Sequence, residues 1–328
     1  MSLHNCKKEL FILLKEKNKF DGREIGKIAS WNTQDERKRV LYLALNELFE
    51  GGFKIESIFS FREKHATFLI RKWESIGLSA ATLQNRTSVL RQFAKWINKS
   101  GMIKPLEKYL ENPKNGKRCY VAQEDKSWSA KGIDADQVIS DIEKYDRATA
   151  MHLRLCLVFG LRRKEAIMLK PHRADKGIYL LVSDGTKGGR DRVVPIDNEK
   201  KRELIDHAKL MAKYINSSIT NGRKTLQQEL AHYSYILNSR GFNRKELQVT
   251  GHGLRHQYLN DRYEELAGHP SPVRGGQETN TYQEEIARLT TSEEAGHSRK
   301  SITAAYYGSE RMARKMRKLY PPLDPSVD

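Results

Sequence analysis

Residues 177–196 read Gly-Ile-Tyr-Leu-Leu-Val-Ser-Asp-Gly-Thr-Lys-Gly-Gly-Arg-Asp-Arg-Val-Val-Pro-Ile. Here the period of the chain changes. On either side, apolar residues recur every three to four positions, as amphipathic helices require. Within it, 177–183 and 192–196 are β-rich runs. They flank 184–190, a turn-forming loop with glycines at 185, 188 and 189. Two strands around a Gly-rich loop make a β-hairpin. One hairpin in an otherwise helical chain predicts a mainly α fold with a small β-sheet.

Upstream, Thr33-x-x-Glu36 is a capping-box pattern ahead of Val40, Leu41, Ala44, Leu45, Leu48 and Phe49, and Gly51-Gly52 ends that helix. Ser60-x-x-Glu63 opens a second run through Leu69, Ile70, Trp73 and Ile76, stopped by Gly77. A third helix is expected over 80–99. Its polar positions include Arg86, Arg91, Lys95 and Lys99, which suit either a solvated face or one that contacts phosphates. Residues 112–132 lack clean periodicity and are rich in Lys, Gly, Asn and Ser. The expected organisation is a helical domain over 1–112, a linker over 113–132, and a mixed α and β domain over 133–328. Helical patterning resumes near 134 and again near 198. The stretch HPSPVRGGQETN breaks it, so 264–290 reads as a surface insertion.

The chain has 328 residues, enough for two domains. Lys and Arg exceed Asp and Glu by 59 to 41, a formal charge of +18. Residues 1–126 carry 25 basic and 15 acidic side chains, so +10 falls there and +8 on the remainder. Both halves are basic. That favours a polyanionic partner, nucleic acid first, over a neutral domain with a charged tail. No apolar run approaches membrane-spanning length, and charges interrupt the apolar stretch at the N-terminus, which makes a poor secretory signal. Cys6, Cys119 and Cys156 are odd in number and far apart, which argues against a disulfide framework or a zinc motif. A reducing, cytoplasmic location is expected, nucleoid-associated when the protein is bound to DNA.

Four segments hold candidate chemistry. Arg162 and Glu165 lie three apart, so on a helix they share a face, and the carboxylate can hold the guanidinium fork toward a phosphate. Lys187 lies in the hairpin loop among glycines that let backbone approach a ligand. The loop does not match a nucleotide-binding P-loop. His252 and Arg255 are again three apart in His-Gly-Leu-Arg-His, with Leu254 pointing toward a core. His297 follows Gly296, and Tyr306 and Tyr307 come nine and ten residues later. Singly, these are an ion pair, a loop lysine, a structural histidine and a core tyrosine.

Taken in order, R-x-x-E, a hairpin Lys, H-x-L-R-H and G-H-x8-Y resemble the tyrosine recombinase (phage integrase) family. The resemblance covers about 134–320. The helical region before it is similar to that family's core-binding domain by arrangement more than by motif. It implies a two-domain fold and a catalytic set of Arg162, Lys187, His252, Arg255, His297 and Tyr306, supported by Glu165. Tyr306 is preferred to the adjacent Tyr307 because its spacing from His297, and Ile302-Thr303-x-x-Tyr306, fit the family. The 42 residues from Arg255 to His297 are roughly twice the family's interval, a departure that the insertion around 269–279 accounts for. The implied activity is site-specific DNA cleavage and rejoining through a 3′-phosphotyrosyl link, without ATP, cofactor or metal. The implied partners are double-stranded DNA, a homotetramer on paired sites, and a directionality or DNA-bending factor for a mobile element. A type IB topoisomerase-like enzyme and a non-catalytic DNA-binding protein are the rival readings. A metal-dependent transposase would need clustered carboxylates.

Overall fold

The computed structural model describes residues 3–20, 28–220, 222–277, 279, 281–296 and 304–307. The chain divides into two units, Met1–Cys119 and Tyr120–Asp328.

The first unit holds α1 (Leu3–Lys17), α2 (Trp31–Glu50), α3 (Glu63–Ser75) and α4 (Ala80–Trp96). Ser30 and Ser79 start α2 and α4, their hydroxyls accepting the backbone N–H of Thr33 and Thr82 at 3.2 and 3.3 Å. The cap of α2 is therefore Ser30, and Thr33 and Glu36 fall inside the helix. Ser60 is not a cap either. It ends a 3-10 turn, Ile58–Ser60, and α3 starts after Arg62, whose N–H is taken by the His65 ring at 3.0 Å. The intervening Phe61 is buried edge-on against Phe93 and turns the chain before a helix can begin. Gly52 and Gly77 follow α2 and α3 with φ of +83° and +73°, the left-handed conformation that glycine adopts without penalty. Leu10, Leu48, Ile58, Leu69, Trp73, Leu83 and Leu90 form the core.

Both ends of the stretch read as a linker are built into the units. A 3-10 turn at Pro113–Gly116 buries Gly116, whose carbonyl accepts Gln84 Nε2 at 2.7 Å. Trp128 is fully buried in the second unit. Asn112 caps the Pro113–Gly116 turn, its side chain accepting Lys114 N–H at 3.0 Å, and Gly132 ends the turn after Trp128 at φ of +69°.

The second unit runs through α5 (Ala135–Glu143), α6 (Arg147–Val158), α7 (Arg163–Met168), α8 (Pro171–Ala174), β1 (Tyr179–Val182), β2 (Arg192–Pro195), α9 (Glu199–Met211), α10 (Leu226–Asn238), α11 (His252–Ala267), α12 (Tyr282–Glu294) and α13 (Ala304–Tyr307). The strands pair antiparallel from Tyr179 opposite Pro195 to Val182 opposite Arg192. Leu180, Val182 and Val194 face the helical core. Residues 264–290 are not a loose surface insertion. α11 continues to Ala267 and α12 begins at Tyr282, burying Glu284, Ala287, Thr291 and Ser292 at helical spacing. Between them, Ser271 is fully buried and donates to Asn260 Oδ1 at 2.5 Å.

Candidate active site

The chain turns into α7 at Gly160, where φ is +59° and an added Cβ would lie 2.3 Å from the Tyr258 ring. Only glycine fits such a turn. Arg162 then occupies the cap position of α7, rather than sharing a helical face with Glu165. Glu165 reaches back and accepts both the Arg162 backbone N–H at 2.7 Å and its Nη1 at 2.6 Å. One carboxylate thus fixes the backbone and the guanidinium of Arg162 together.

Arg255 projects from the first turn of α11 and is completely buried. Its Nη1 donates to Gly160 O, its Nη2 to Ala295 O at 2.6 Å, and its Nε to the Tyr306 hydroxyl at 3.3 Å. Arg162 Nη2 donates to the same Ala295 carbonyl at 3.0 Å. Glu294 O and Ala295 O end α12, where carbonyls lack helical partners and the helix carries partial negative charge.

A third guanidinium, Arg192, was missed by the sequence reading. Its Nη2 donates to Glu165 Oε2 at 2.8 Å and its Nη1 to Glu294 O. The signal was available: in β2, Arg192 and Val194 lie two apart and face the same way, into the core. Two guanidiniums, Arg162 and Arg192, bond the Glu165 carboxylate, and Arg255 acts on it through its charge, a local excess of two positive charges. Burial alone would raise the Glu165 pKa, but Arg192, Arg162 and Arg255 outweigh it and hold the pKa at about 2. Burial, then Arg255, lowers Arg192 to about 10, still charged at neutral pH.

Tyr306 stands against this cluster. Its ring lies 4.6 Å from His256 and 6.1 Å from His252. Tyr307 is fully buried, with its ring 4.9 Å from that of Tyr263, and burial raises its pKa. Desolvation, then the charges of Arg255, Arg162 and Lys126, lowers His252 to about 4. Desolvation, then His252 and Lys126, lowers His256 to about 3. Both are neutral at pH 7. His252 is exposed on one side, whereas His256 is buried.

Lys187 is exposed at the hairpin tip, without a hydrogen bond or ion pair to a described residue. The structure does not gather its amino group with the arginines. It does dock the loop: an added Cβ at Gly185 would lie 2.8 Å from Lys164 O and 3.2 Å from Glu165 Cα. His297 lies outside the described residues. Its neighbour Gly296 has φ of +65°, and an added Cβ would lie 2.7 Å from Arg192 Cδ. Beside the cluster runs an open groove of about 560 Å³ whose cationic lining is Arg162, Arg163, Lys164 and Arg244, with His252 at its edge and no acidic side chain.

The four basic residues near α4 do not form one phosphate face. Arg86 stacks over Trp73 at 5.0 Å, and burial lowers its pKa. Arg91 donates to Lys104 O at 2.8 Å, and Lys99 to Phe59 O and Phe61 O at 2.6 and 2.9 Å. Lys95 is exposed. A helix advances about 100° per residue, so Arg86 points well away from Lys95. Among the described residues, no group of three or more His, Cys, Asp or Glu is placed to hold a metal, and no helix is long and apolar enough to cross a membrane.

The chain is similar to known proteins in sequence and in fold. A family model described as Integrase matches residues 124–261, and one described as Phage integrase, N-terminal, matches 19–103. Tyrosine recombinase XerC of Chromobacterium violaceum is 29% identical over 171 residues, 50% of this chain and 53% of that one, so the match spans about half the relative's length. The integrase of transposon Tn1549, in complex with transposon right end DNA, shares the fold with a TM-score of 0.56 at 16% identity, covering 98% of this chain and 99% of that one. A lambda integrase tetramer bound to a Holliday junction has a TM-score of 0.59 at 14% identity, covering 92% and 78%. The ordered motifs, the arginine cluster around a tyrosine and the two matched domain models agree, and the chain belongs to the tyrosine recombinase (phage integrase) family.

Proposed function

We propose that the protein is a site-specific DNA recombinase that breaks and rejoins strands through a covalent tyrosyl intermediate. The observation that carries this reading is the Tyr306 hydroxyl held by Arg255 Nε at 3.3 Å, beside buried Arg192 and partly exposed Arg162. In the proposed step, Tyr306 Oη bonds to the scissile phosphorus and the bond from phosphorus to the 5′-oxygen breaks. The tyrosyl proton passes to a base, and neutral His252 can take it. A free tyrosine has pKa ~10 and is a poor nucleophile at neutral pH, so this assistance matters. Arg162 and Arg255 clamp the non-bridging oxygens through the developing charge. Lys187 gives a proton to the leaving 5′-oxygen, reaching the phosphate from the docked hairpin loop, and His297 adds a hydrogen bond. The arginines supply the charge stabilisation that metals supply in other nucleases.

The substrate is double-stranded DNA, with the basic groove beside Arg162 taking the flanking strand. Of the four basic residues near α4, exposed Lys95 takes a phosphate, with Arg91 one turn before it on the same face. A tetramer on paired sites, serving a mobile element and steered by a directionality or DNA-bending factor, completes the reading. The test is a nicked suicide duplex incubated with the protein in EDTA. A protein–DNA adduct that survives denaturation supports the recombinase. Retained binding without an adduct supports a DNA-binding protein instead.

A further inference from the structure

We propose that Lys126 is a DNA-phosphate ligand at the edge of the catalytic site, presented by the 124–128 segment to the strand that carries the scissile phosphate. This rests on the recombinase reading for its substrate and on separate observations for its geometry.

The segment lies on the first turn of α11, the turn that carries His252 and Arg255. At Gly253 an added Cβ would sit 2.6 Å from Lys126 O and 2.8 Å from the Trp128 ring, so the backbone of Lys126 passes directly over the helix between them. The segment is fastened at both ends. Asp125 accepts Arg274 Nε at 2.9 Å and Ser127 N–H at 2.8 Å. Trp128 stacks on Phe242 at 5.0 Å and 7° and donates its indole N–H to Thr250 O at 2.9 Å. Ser127 and Trp128 are completely buried. Lys126, between these anchors, is exposed and has no hydrogen bond or ion pair to a described residue.

A lysine whose backbone is fixed and whose amino group is unpaired starts from a set position and is free to meet a phosphate. Its nearest carboxylate in sequence, Asp125, is committed to Arg274, which also binds Asp261 at 2.6 Å. The charge of Lys126 therefore acts outward, and it is felt by both histidines. Arg255, Arg162, Lys126 and Glu165 act on His252, and His252, Lys126, Asp125 and Arg255 act on His256. Because Lys126 O packs on the turn between His252 and Arg255, its side chain starts beside the position a scissile phosphate would take.

The experiment uses the full chain with Lys126→Gln and Lys126→Arg. Salt titrations of binding to a short random-sequence duplex should show that Lys126→Gln flattens the slope of log affinity against log salt by ~0.9, one phosphate contact. Lys126→Arg should keep the wild-type slope. In free protein, nuclear magnetic resonance titration should show His252 and His256 titrating at higher pH in Lys126→Gln, because a positive neighbour is gone. Histidines unmoved in Lys126→Gln would remove the cation from the site. Shifted histidines with an unchanged salt slope would overturn the phosphate contact. If the slope falls but wild-type protein forms no adduct on the suicide duplex, the contact stands and the recombinase reading fails.

Discussion

Replacing Glu165 with Gln keeps the shape of the side chain and removes its charge. Glu165 is completely buried, and among the described residues it is the one carboxylate that Arg162 and Arg192 both contact, at 2.6 and 2.8 Å. Its pKa is about 2, against ~4.3 for a free glutamate. That difference corresponds to ~3 kcal/mol of folding stability. Removing one partner of a buried ion pair costs ~3–5 kcal/mol in other proteins, the same range. Because the folded pKa is depressed, the stabilisation is fully present above the unfolded value and disappears as pH falls from ~4.5 toward ~2. Amide hydrogen exchange in α6 and α7 reports on this unit without assuming that both units unfold together. At pH 7 the opening free energy of these amides should fall by ~3 kcal/mol in Glu165→Gln, and the gap from wild type should narrow as pH drops through that window. A gap under ~0.5 kcal/mol at pH 7, the size of an ordinary surface substitution, would refute the claim that Glu165 organises the arginines.

Other changes separate the roles. Arg192→Lys keeps a charge but loses the fork that ties Glu165 to Glu294 O, so adduct formation should slow by ~100-fold while DNA affinity holds; equal loss of affinity would make it a binding residue. Gly296→Ala places a Cβ against Arg192 at a left-handed φ and should cost ~1–3 kcal/mol, read as a lower unfolding temperature. Arg86→Ala should destabilise the first unit by ~1–2 kcal/mol through its lost contact with Trp73, without changing the salt dependence of DNA binding. Lys95→Ala should do the reverse.

The legible parts of the fold were those written in local periodicity. Two β-rich runs around the Gly-rich loop at 184–190 announced the hairpin, and glycines at 52 and 77 announced the helix ends. The cap of α2 was placed at Thr33 because the Thr-x-x-Glu pattern competes with Ser30 three residues earlier, and that of α3 at Ser60 because the packing of Phe61 on distant Phe93 is not local information. α12 was hidden behind the Pro- and Gly-rich stretch that precedes it, although its buried face has helical spacing. In the site, side chains in known order were readable, but their acceptors were not. The carbonyls of Gly160, Glu294 and Ala295 hold the arginines, and a backbone acceptor leaves no mark in residue type. Arg86 looked like a surface cation because its partner, Trp73, lies on a different helix.

The proposed mechanism requires that Tyr306, and not its neighbour, attacks DNA. Mass spectrometry of the protease-digested adduct from the suicide duplex reads this directly. The 3′-phosphate should be found on Tyr306, with an adduct retained in Tyr307→Phe and none in Tyr306→Phe, although Tyr306→Phe still binds the duplex. A phosphotyrosyl peptide centred on Tyr307, or an adduct formed by Tyr306→Phe, would contradict it.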